Sequence, residues 1–487
     1  MFKILFIIFL MILFITSFCL SFLFNIFYGI TFYGFIMIVY FLMQIFFSYR
    51  NHCLNIKLHR QHWIENNSIR KIPIDSQNII EESAFQCVLL MVGHRERIDY
   101  WEKALLSIKN LNPSNIIKCI LIIDGNEEKD HYMKQKYQEI FDNEMENIFP
   151  VECIQISKRG KRGAIFYGIE LIKNQFMNKE KFIDVVLSDS DTELKPDSLI
   201  YLQECLRSNL NNGCVTGLLT IYNMKDGLLP KIINARYSYA FVIERGCSSY
   251  FGCMTCCSGP LSIYNLDKLN ELLLQKFITQ KFLNTKCEPG DDRHLTNLIL
   301  AQGYYARQTN LAIAGTEAPE TMYRFLNQQL RWSRSYYREL YWQFKAIKHQ
   351  SYFLSFITTY ETLFPFFITV WLGKILFFSN DYLFILKGLI ISFTVLFIRT
   401  FILIIYLQDL MMIYNLFYYV LYLFFLLPTK LYAIFSLLNN NWVTNPRNSA
   451  FQINCSMYFF FLGLWNILLC GGIIKHILVL YRIHLLT

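Results

Sequence analysis

Residues 182–192 read FIDVVLSDSDT, an apolar run that ends in a pair of aspartates, Asp189 and Asp191. The length and composition of the run predict a buried strand over 182–187, with both aspartates just beyond its carboxyl end. Two carboxylates one residue apart supply the hard oxygen ligands that Mg²⁺ or Mn²⁺ prefers. Asp-x-Asp triplets are common by chance, so it is the place of this one at a strand end that favours a metal site.

Similar apolar runs precede this strand in the mixed-polarity middle of the chain. Residues 85–92 and 116–123 are typical of buried strands, and a helical pattern covers 100–108 between them. Strands that alternate with helices predict an α/β domain, with a mixed, mostly parallel sheet covered by helices on both faces. Ligands bind outside the carboxyl ends of such strands, where this prediction places both Asp124 and Asp189.

The chain as a whole is too apolar for an ordinary soluble protein. Of its 487 residues 54% are hydrophobic, and they concentrate at the two ends of the chain. Residues 1–48 suffice for two transmembrane helices with a break near Asn25, since one crossing takes about 20 residues. A cleaved signal peptide is the alternative, but a second apolar stretch follows at once. The basic residues of 49–83 predict a cytosolic linker by the positive-inside rule.

The C-terminal region, residues 341–487, is predicted to contain transmembrane and interfacial helices. Its apolar runs are 363–378, 383–407, 411–427 and 457–480. The run 411–427 is rich in Tyr and Phe, which favours a position along the membrane surface. Arg399 interrupts another run, and a cation within a membrane span is a candidate for function. Residues 84–340 therefore form a soluble domain inserted between membrane regions.

Two polar clusters in this domain have side chains suited to group transfer. The segment 158–162, KRGKR, is able to bind a diphosphate, because Lys and Arg pair well with phosphate oxygens. A solvated loop is the alternative. Asp291 and Asp292 offer a carboxylate that could take a proton from an attacking hydroxyl, a contribution of roughly 10²–10⁴-fold. Asp292 is equally suited to cap the helix that follows it.

A third cluster, Gln328, Arg331 and Trp332, lies on a predicted helix. Arg331 can neutralise phosphate and Trp332 offers a flat face for a sugar ring, whereas an ordinary amphipathic helix would need no such spacing.

The run 253–257 contains a Cys-x-x-Cys. No second pair with zinc-ligand spacing follows nearby, which favours reduced thiols in a cytosolic domain.

The clusters, in this order, resemble those of the processive family 2 glycosyltransferases, and in detail those of the animal-type hyaluronan synthases. Chitin synthases more often carry Glu-Asp at the paired acids. The resemblance runs from about residue 85 to residue 480. Its main motifs are CSGPL at 257–261, GDDRHLTN at 290–297, NQQLRWSRSYYRE at 327–339, PTKLYA at 428–433 and NWVT at 441–444.

The resemblance implies a GT-A-type glycosyltransferase domain that adds sugars from UDP-N-acetylglucosamine and UDP-glucuronate in turn, with inversion. The nascent polysaccharide would leave through the protein's own membrane helices. Mg²⁺ or Mn²⁺ is the implied cofactor, and the implied location is the plasma membrane with the catalytic domain in the cytosol; no nucleic-acid partner is expected. A chitin or chito-oligosaccharide synthase using UDP-N-acetylglucosamine alone is the alternative, and a catalytically silent membrane protein would not require the acidic clusters.

The resemblance also implies roles for individual residues. Asp292 would be the general base and Asp191 the metal ligand, with Asp189 close to the nucleotide. The other implied contacts are Glu96 and Asp124 at the uridine, Lys161 and Arg162 at the diphosphate, Gln328, Arg331 and Trp332 at the acceptor, the segment 258–260 at the growing polymer end, and Trp442 on a gating loop (about 436–450) over the donor.

Two features depart from the family pattern. Val443 stands where the family usually has Gly, which predicts a stiffer gating loop. Animal members usually have one more membrane segment after the one that matches 457–480. If the gating loop is cytosolic and 411–427 is interfacial, the C-terminus is expected outside the cell.

Overall fold

The computed structural model of the chain describes residues 26–69, 86–141, 149–176, 183–378, 382–439 and 455–486. The first predicted transmembrane helix and most of the predicted gating loop, including Trp442 and Val443, lie outside these residues. The described strands are β1 Gln86–Gly93, β2 Ile116–Asp124, β3 Val151–Ile156, β4 Ile183–Asp189, β5 Glu193–Leu194, β6 Asn212–Ile221, β7 Ser262–Asn265, β8 Lys281–Phe282, β9 Thr285–Lys286 and β10 Tyr305–Thr316.

Eight of these strands form one sheet, in the order β3-β2-β1-β4-β7-β6-β10-β5. The first four are parallel to one another, and β6 is parallel to β10. The strand β7 is antiparallel to both of its neighbours, and β5 is antiparallel to β10. The predicted mixed, mostly parallel sheet is confirmed, and so are the predicted strands at 85–92, 116–123 and 182–187.

Helices cover the sheet and continue into the apolar C-terminal region. They are α1 Ile26–Ile69, α2 Ile98–Lys109, α3 Glu128–Phe141, α4 Lys161–Phe176, α5 Ser198–Arg207, α6 Leu228–Ser238, α7 Gly246–Tyr250, α8 Glu271–Ile278, α9 Asp291–Ala301, α10 Met322–Ile347, α11 Tyr352–Gly373, α12 Tyr382–Leu407, α13 Asn415–Leu421, α14 Leu427–Phe435 and α15 Cys455–Leu486. A π-helical segment, Tyr239–Arg245, joins α6 to α7.

Helices bury both faces of the sheet, and successive side chains of a strand point to opposite faces. In β1, Leu89 and Met91 belong to a core with Trp101 of α2. Leu90 belongs to the core on the other face, with Ile169 of α4. Such two-sided burial explains why the strands read as continuous apolar runs.

The helix α1 continues well beyond its apolar first half. Residues 49–69, which were predicted to be part of a linker, are helical. The amides of Asn51 and Asn55 donate hydrogen bonds to the carbonyl of Gln308 in β10, at 3.1 and 3.2 Å. Ser249 donates a further bond to Asn51, at 2.9 Å. These buried polar contacts hold this part of α1 against the sheet domain.

Among the described residues, three segments are long and apolar enough to cross a membrane: Tyr352–Phe378, Leu410–Phe435 and Met457–Val479. The second includes 411–427, for which a position along the membrane surface was favoured. A shorter apolar helix covers Ser392–Leu407. The predicted boundary at residue 340 falls inside α10, which links the soluble domain to α11 after a short turn.

Candidate active site

The carboxyl ends of β1, β2 and β4 meet at one edge of the sheet. Asp124 ends β2 and Asp189 ends β4, as predicted. Glu96 follows β1, and its carboxylate accepts a hydrogen bond from the hydroxyl of Ser190 at 3.1 Å. The loop after β1 therefore contacts the Asp-x-Asp loop directly, which brings Glu96 beside Asp191.

Lys161, the first residue of α4, joins the two acidic clusters. Its Nζ lies 2.7 Å from Asp189 Oδ1 and 3.2 Å from Asp291 Oδ2. Burial opposes the charge of this ammonium group, but Asp189 and Asp291 outweigh that effect and raise the pKa of Lys161. A Cβ at Gly259 would lie 3.0 Å from Asp189 and 3.4 Å from Lys161 Nζ, so a glycine leaves this ion pair open.

The second acidic cluster occupies the first turn of α9. Gly290 precedes it with a φ of +91°, a conformation that favours glycine, and a Cβ there would collide with the hydroxyl of Ser335 in α10. Burial opposes ionisation of Asp291, but the charges of Lys161 and Arg162 prevail and lower its pKa. Asp291 is thus a fixed negative charge beside the lysine.

Asp292 is held by two donors from different parts of the chain. The backbone N–H of Arg293 donates to Oδ1 at 2.7 Å, and the thiol of Cys256 donates to Oδ2 at 3.4 Å. The predicted capping role is not what these contacts show, because Asp291 and Asp292 are already inside α9 and Gly290 precedes the helix. The Asp292 side chain is therefore oriented beside the junction of the acidic clusters.

Two predicted ligand contacts are engaged with the protein itself. Asp124 is 2% exposed, and its Oδ1 accepts the backbone N–H of Arg159 at 2.7 Å. Arg162, expected at the diphosphate, donates instead to the carbonyls of Phe277, Glu288 and Pro289. Arg162 is 2% exposed, and its guanidinium supports the loop that leads into α9, whereas Lys161 lies at the acidic junction.

The helix α10 carries the third predicted cluster and contacts α9. Burial lowers the pKa of Arg331, and the carboxylates of Asp291, Asp292 and Asp189 oppose that shift, which places its guanidinium in their field. The next residue, Trp332, is 38% exposed, with its ring centroid 6.4 Å from that of Tyr237. One turn earlier on α10, the amide oxygen of Gln328 is buried with no partner among the described residues.

Asp191 lies in an environment with excess negative charge. Burial, followed by the charges of Glu96 and Asp189, raises its pKa to about 8. No group of three or more His, Cys, Asp or Glu side chains within the described ranges has metal-binding geometry. Catalytic Mg²⁺ characteristically takes one or two carboxylates and completes its coordination with substrate phosphates and water. The Asp189–Asp191 pair fits that mode, since a cation would relieve the crowded negative charge.

Several residues that support the site were not predicted from the sequence. Asp130 in α3 is fully buried and accepts the backbone N–H groups of Arg95 and Glu127, at 2.8 and 3.1 Å. It thereby holds the loops after β1 and β2. Glu339 in α10 accepts from Asn297 at 3.1 Å and lies 3.0 Å from His294, which fastens α9 to α10. Both acidic residues sit in polar helices, where nothing local distinguishes them from solvated side chains.

Comparison with known proteins identifies the family. The chain is 31% identical to hyaluronan synthase 2 of Xenopus laevis over 434 residues, which cover 79% of this chain and 74% of that protein. The chain belongs to the hyaluronan synthase family. Hyaluronan synthase 2 of Gallus gallus is also 31% identical, over 74% of this chain and 70% of that protein. Human hyaluronan synthase 2 is 35% identical over 66% of this chain and 56% of that protein.

Family membership makes the chain a glycosyltransferase with a GT-A-type domain next to membrane-length helices, as predicted. No family model matches the chain. A solved mannosyltransferase of Pyrobaculum calidifontis, in complex with GDP-Man and Mn²⁺, superposes with a TM-score of 0.48 at 12% identity, over 82% of this chain and 100% of that one. The junction of the two acidic clusters is the candidate catalytic centre.

Proposed function

We propose that this hyaluronan synthase relative is a processive enzyme that polymerises hyaluronan from UDP-N-acetylglucosamine and UDP-glucuronate with inversion at the anomeric carbon. The observation that carries the proposal is the lysine bridge between Asp189 and Asp291. The bridge brings the Asp-x-Asp loop and the first turn of α9 together, which supports a single displacement between them. Family membership supplies the substrate class.

In the proposed reaction Asp292 accepts the proton of the acceptor hydroxyl as that oxygen attacks the anomeric carbon and the UDP oxygen leaves. The bonds from Arg293 and Cys256 orient the carboxylate before substrate arrives. An inverting displacement needs one base and no covalent glycosyl intermediate. We therefore assign no nucleophilic role to Asp291, whose charge is balanced by Lys161.

The leaving diphosphate is assigned to the start of α4 and to the Asp-x-Asp loop. Lys161 contributes a positive charge, and the N-terminus of a 16-residue helix adds backbone N–H groups and a favourable dipole. Asp191 and Asp189 would hold Mg²⁺ or Mn²⁺, which when bound supplies Lewis-acid stabilisation of the leaving oxygens. Glu96 and Asp124 border the same edge, which supports our placing the uridine there.

We place the acceptor sugar against α10, with Trp332 as a stacking face and Arg331 beside the carboxylates. As the family resemblance implies, we also assign Gln328 and Ser258 to the acceptor and Trp442 to the donor. The catalytic domain is proposed to face the cytosol, at the plasma membrane. A polyanionic chain cannot shed its water to cross hydrocarbon, so export through the protein's own helices follows from the same logic.

A donor-omission assay on the purified full chain in lipid tests this proposal. We expect hyaluronidase-sensitive polymer only when both UDP-sugars and a divalent cation are supplied, and no polymer after chelation. Release of UDP from either donor alone is expected to stop after at most one transfer per chain end. Polymer formed from UDP-N-acetylglucosamine alone, and resistant to hyaluronidase, would contradict the proposal in favour of a chitin-type synthase.

A further inference from the structure

The loop that precedes β7 contacts the first turn of α9 at Asp292 itself. Cys256 is 8% exposed, and its Sγ lies 3.4 Å from Asp292 Oδ2. Cys256 belongs to this loop, whereas the other donor, the N–H of Arg293, belongs to α9. The thiol therefore joins a separate part of the fold to this carboxylate.

A second link ties the same loop to the backbone of the same residue. The N–H of Cys257 donates to the hydroxyl of Thr296 at 2.8 Å, and that hydroxyl donates to the carbonyl of Asp292 at 2.8 Å. Thr296 is fully buried. Adjacent loop residues thus contact Asp292 twice, once at the side chain and once, through Thr296, at the main chain.

We propose that Cys256 is a positioning residue for glycosyl transfer: its thiol fixes the Asp292 carboxylate in the orientation that receives the acceptor proton, on a loop set by Thr296. This inference rests on the proposed role of Asp292 as base. It adds a role for the cysteine run 253–257, of which the sequence predicted only that the thiols are reduced.

The chemistry of the thiol suits a fixed donor. Burial, followed by the negative charge of Asp292, raises the pKa of Cys256 to about 12, so the S–H proton is retained at neutral pH. A donor to the ionised carboxylate stabilises that form. Other charged groups also act on Asp292: Lys161 from α4, Arg331 from α10, and Asp291 and Arg293 on its own helix. Substituting Cys256 removes none of them.

The test compares Cys256→Ala, Cys256→Ser and the matched control Cys253→Ala in the full chain. Cys253 lies in the same run and is fully buried, but its thiol points to the carbonyl of Ser248 at 3.7 Å. We expect Cys256→Ala to lower the turnover of polymer synthesis about tenfold with little change in KM. The acid limb of its pH–rate profile should move to higher pH, because the ionised base has lost a donor.

The serine variant separates positioning from packing. Cys256→Ser restores a hydroxyl donor and should keep turnover and the acid limb close to those of the parent, as should Cys253→Ala. If Cys256→Ala does not accumulate, Thr296→Val, which removes the relay to the Asp292 carbonyl, should lower turnover against Thr296→Ser. An unchanged acid limb in Cys256→Ala, or a serine variant as impaired as alanine, would overturn the inference.

Asp292→Asn, assayed in parallel, distinguishes failure of the base assignment from failure of the positioning role of Cys256. If Asp292→Asn is inactive and Cys256→Ala has the parent profile, the base stands and the positioning role is rejected. If Asp292→Asn makes polymer at the parent rate, the base assignment fails and the positioning role fails with it.

Discussion

The two ends of strand β4 carry carboxylates in opposite situations. At the amino end Asp184 is fully buried and bound by Arg207 at 2.6 and 3.0 Å, with Gln203 at 3.1 Å. At the carboxyl end Asp189 is half-buried and contacts Lys161, while the carboxylates of Glu96 and Asp189 act on Asp191. In the sequence, Asp184 lies inside the apolar run near its amino end, whereas Asp189 and Asp191 come at its carboxyl end.

The difference separates a structural carboxylate from a reactive one. A buried ion pair with all its hydrogen bonds satisfied leaves no capacity for a ligand, and removing one partner exposes the other to a large desolvation cost. Like charges gathered at the edge of a parallel sheet have the reverse property, because a cation relieves them. Substitutions at the carboxyl end of β4 should therefore lower activity, whereas substitutions at its amino end should lower stability.

Among the substitutions that leave both acidic clusters intact or lie outside them, the largest effect is expected where the two clusters meet. Lys161→Gln removes the charge that joins Asp189 to Asp291, and we expect polymer synthesis to fall by roughly 10²–10³-fold, the range seen when one preorganised donor is lost. Turnover by purified protein in lipid measures this. Lys173→Gln is the matched control on the same helix, because Lys173 binds the carbonyl of Leu269 at the far end. Equal loss in both variants would point to damage of α4 instead.

At the other end of β4 the expected loss is one of stability. Asp184→Asn leaves Arg207 without its buried counter-charge, and we expect a loss of about 3 kcal/mol in the free energy of unfolding. For a domain of this size that is roughly 6–12 °C in the unfolding temperature, measured by thermal shift in detergent. Turnover per folded molecule should stay within about twofold of the parent by the same argument, and a selective loss of turnover would remove the contrast.

An intermediate effect is expected at the turn that begins α9. Gly290→Ala places a side chain at a φ of +91° and against Ser335. We expect a cost of about 1–2 kcal/mol for the left-handed conformation, and a further loss of turnover as Asp292 is displaced. The double variant Gly290→Ala with Ser335→Gly should recover the part due to the collision. No recovery would mean that the backbone conformation alone accounts for the defect.

The smallest effect is expected for an ion pair on the surface. Lys136 is on the exposed side of α3. Its Nζ lies 3.0 Å from a carboxylate oxygen of Glu139 in the same helix and 3.2 Å from one of Glu102 in α2. Exposed pairs gain little, because solvent screens them and the side chains lose freedom. Lys136→Gln should leave both the unfolding temperature and the turnover unchanged. A shift as large as that of Asp184→Asn would show that ion-pair burial does not explain the difference between the two.

The sequence predicted the sheet because two-sided burial leaves an unambiguous apolar run in each strand. It also predicted that Asp189 and Asp292 belong together, since the resemblance orders the motifs. It did not predict that Arg162 would turn to loop carbonyls, because a run of basic residues says nothing about which one faces the ligand. Nor did it predict the helix at 49–69, whose asparagines bind a strand more than 250 positions along the chain.

The most direct test of the central claim measures donor binding and polymer synthesis on the same Asp292→Asn protein. The substitution keeps the shape of the side chain and one acceptor oxygen for the bonds from Arg293 and Cys256, and it removes the negative charge and the capacity to take a proton. We predict that UDP binds in the presence of Mn²⁺ within about threefold of the parent affinity, while polymer synthesis falls by about 10²–10⁴-fold. Polymer made at the parent rate by this variant would contradict the account.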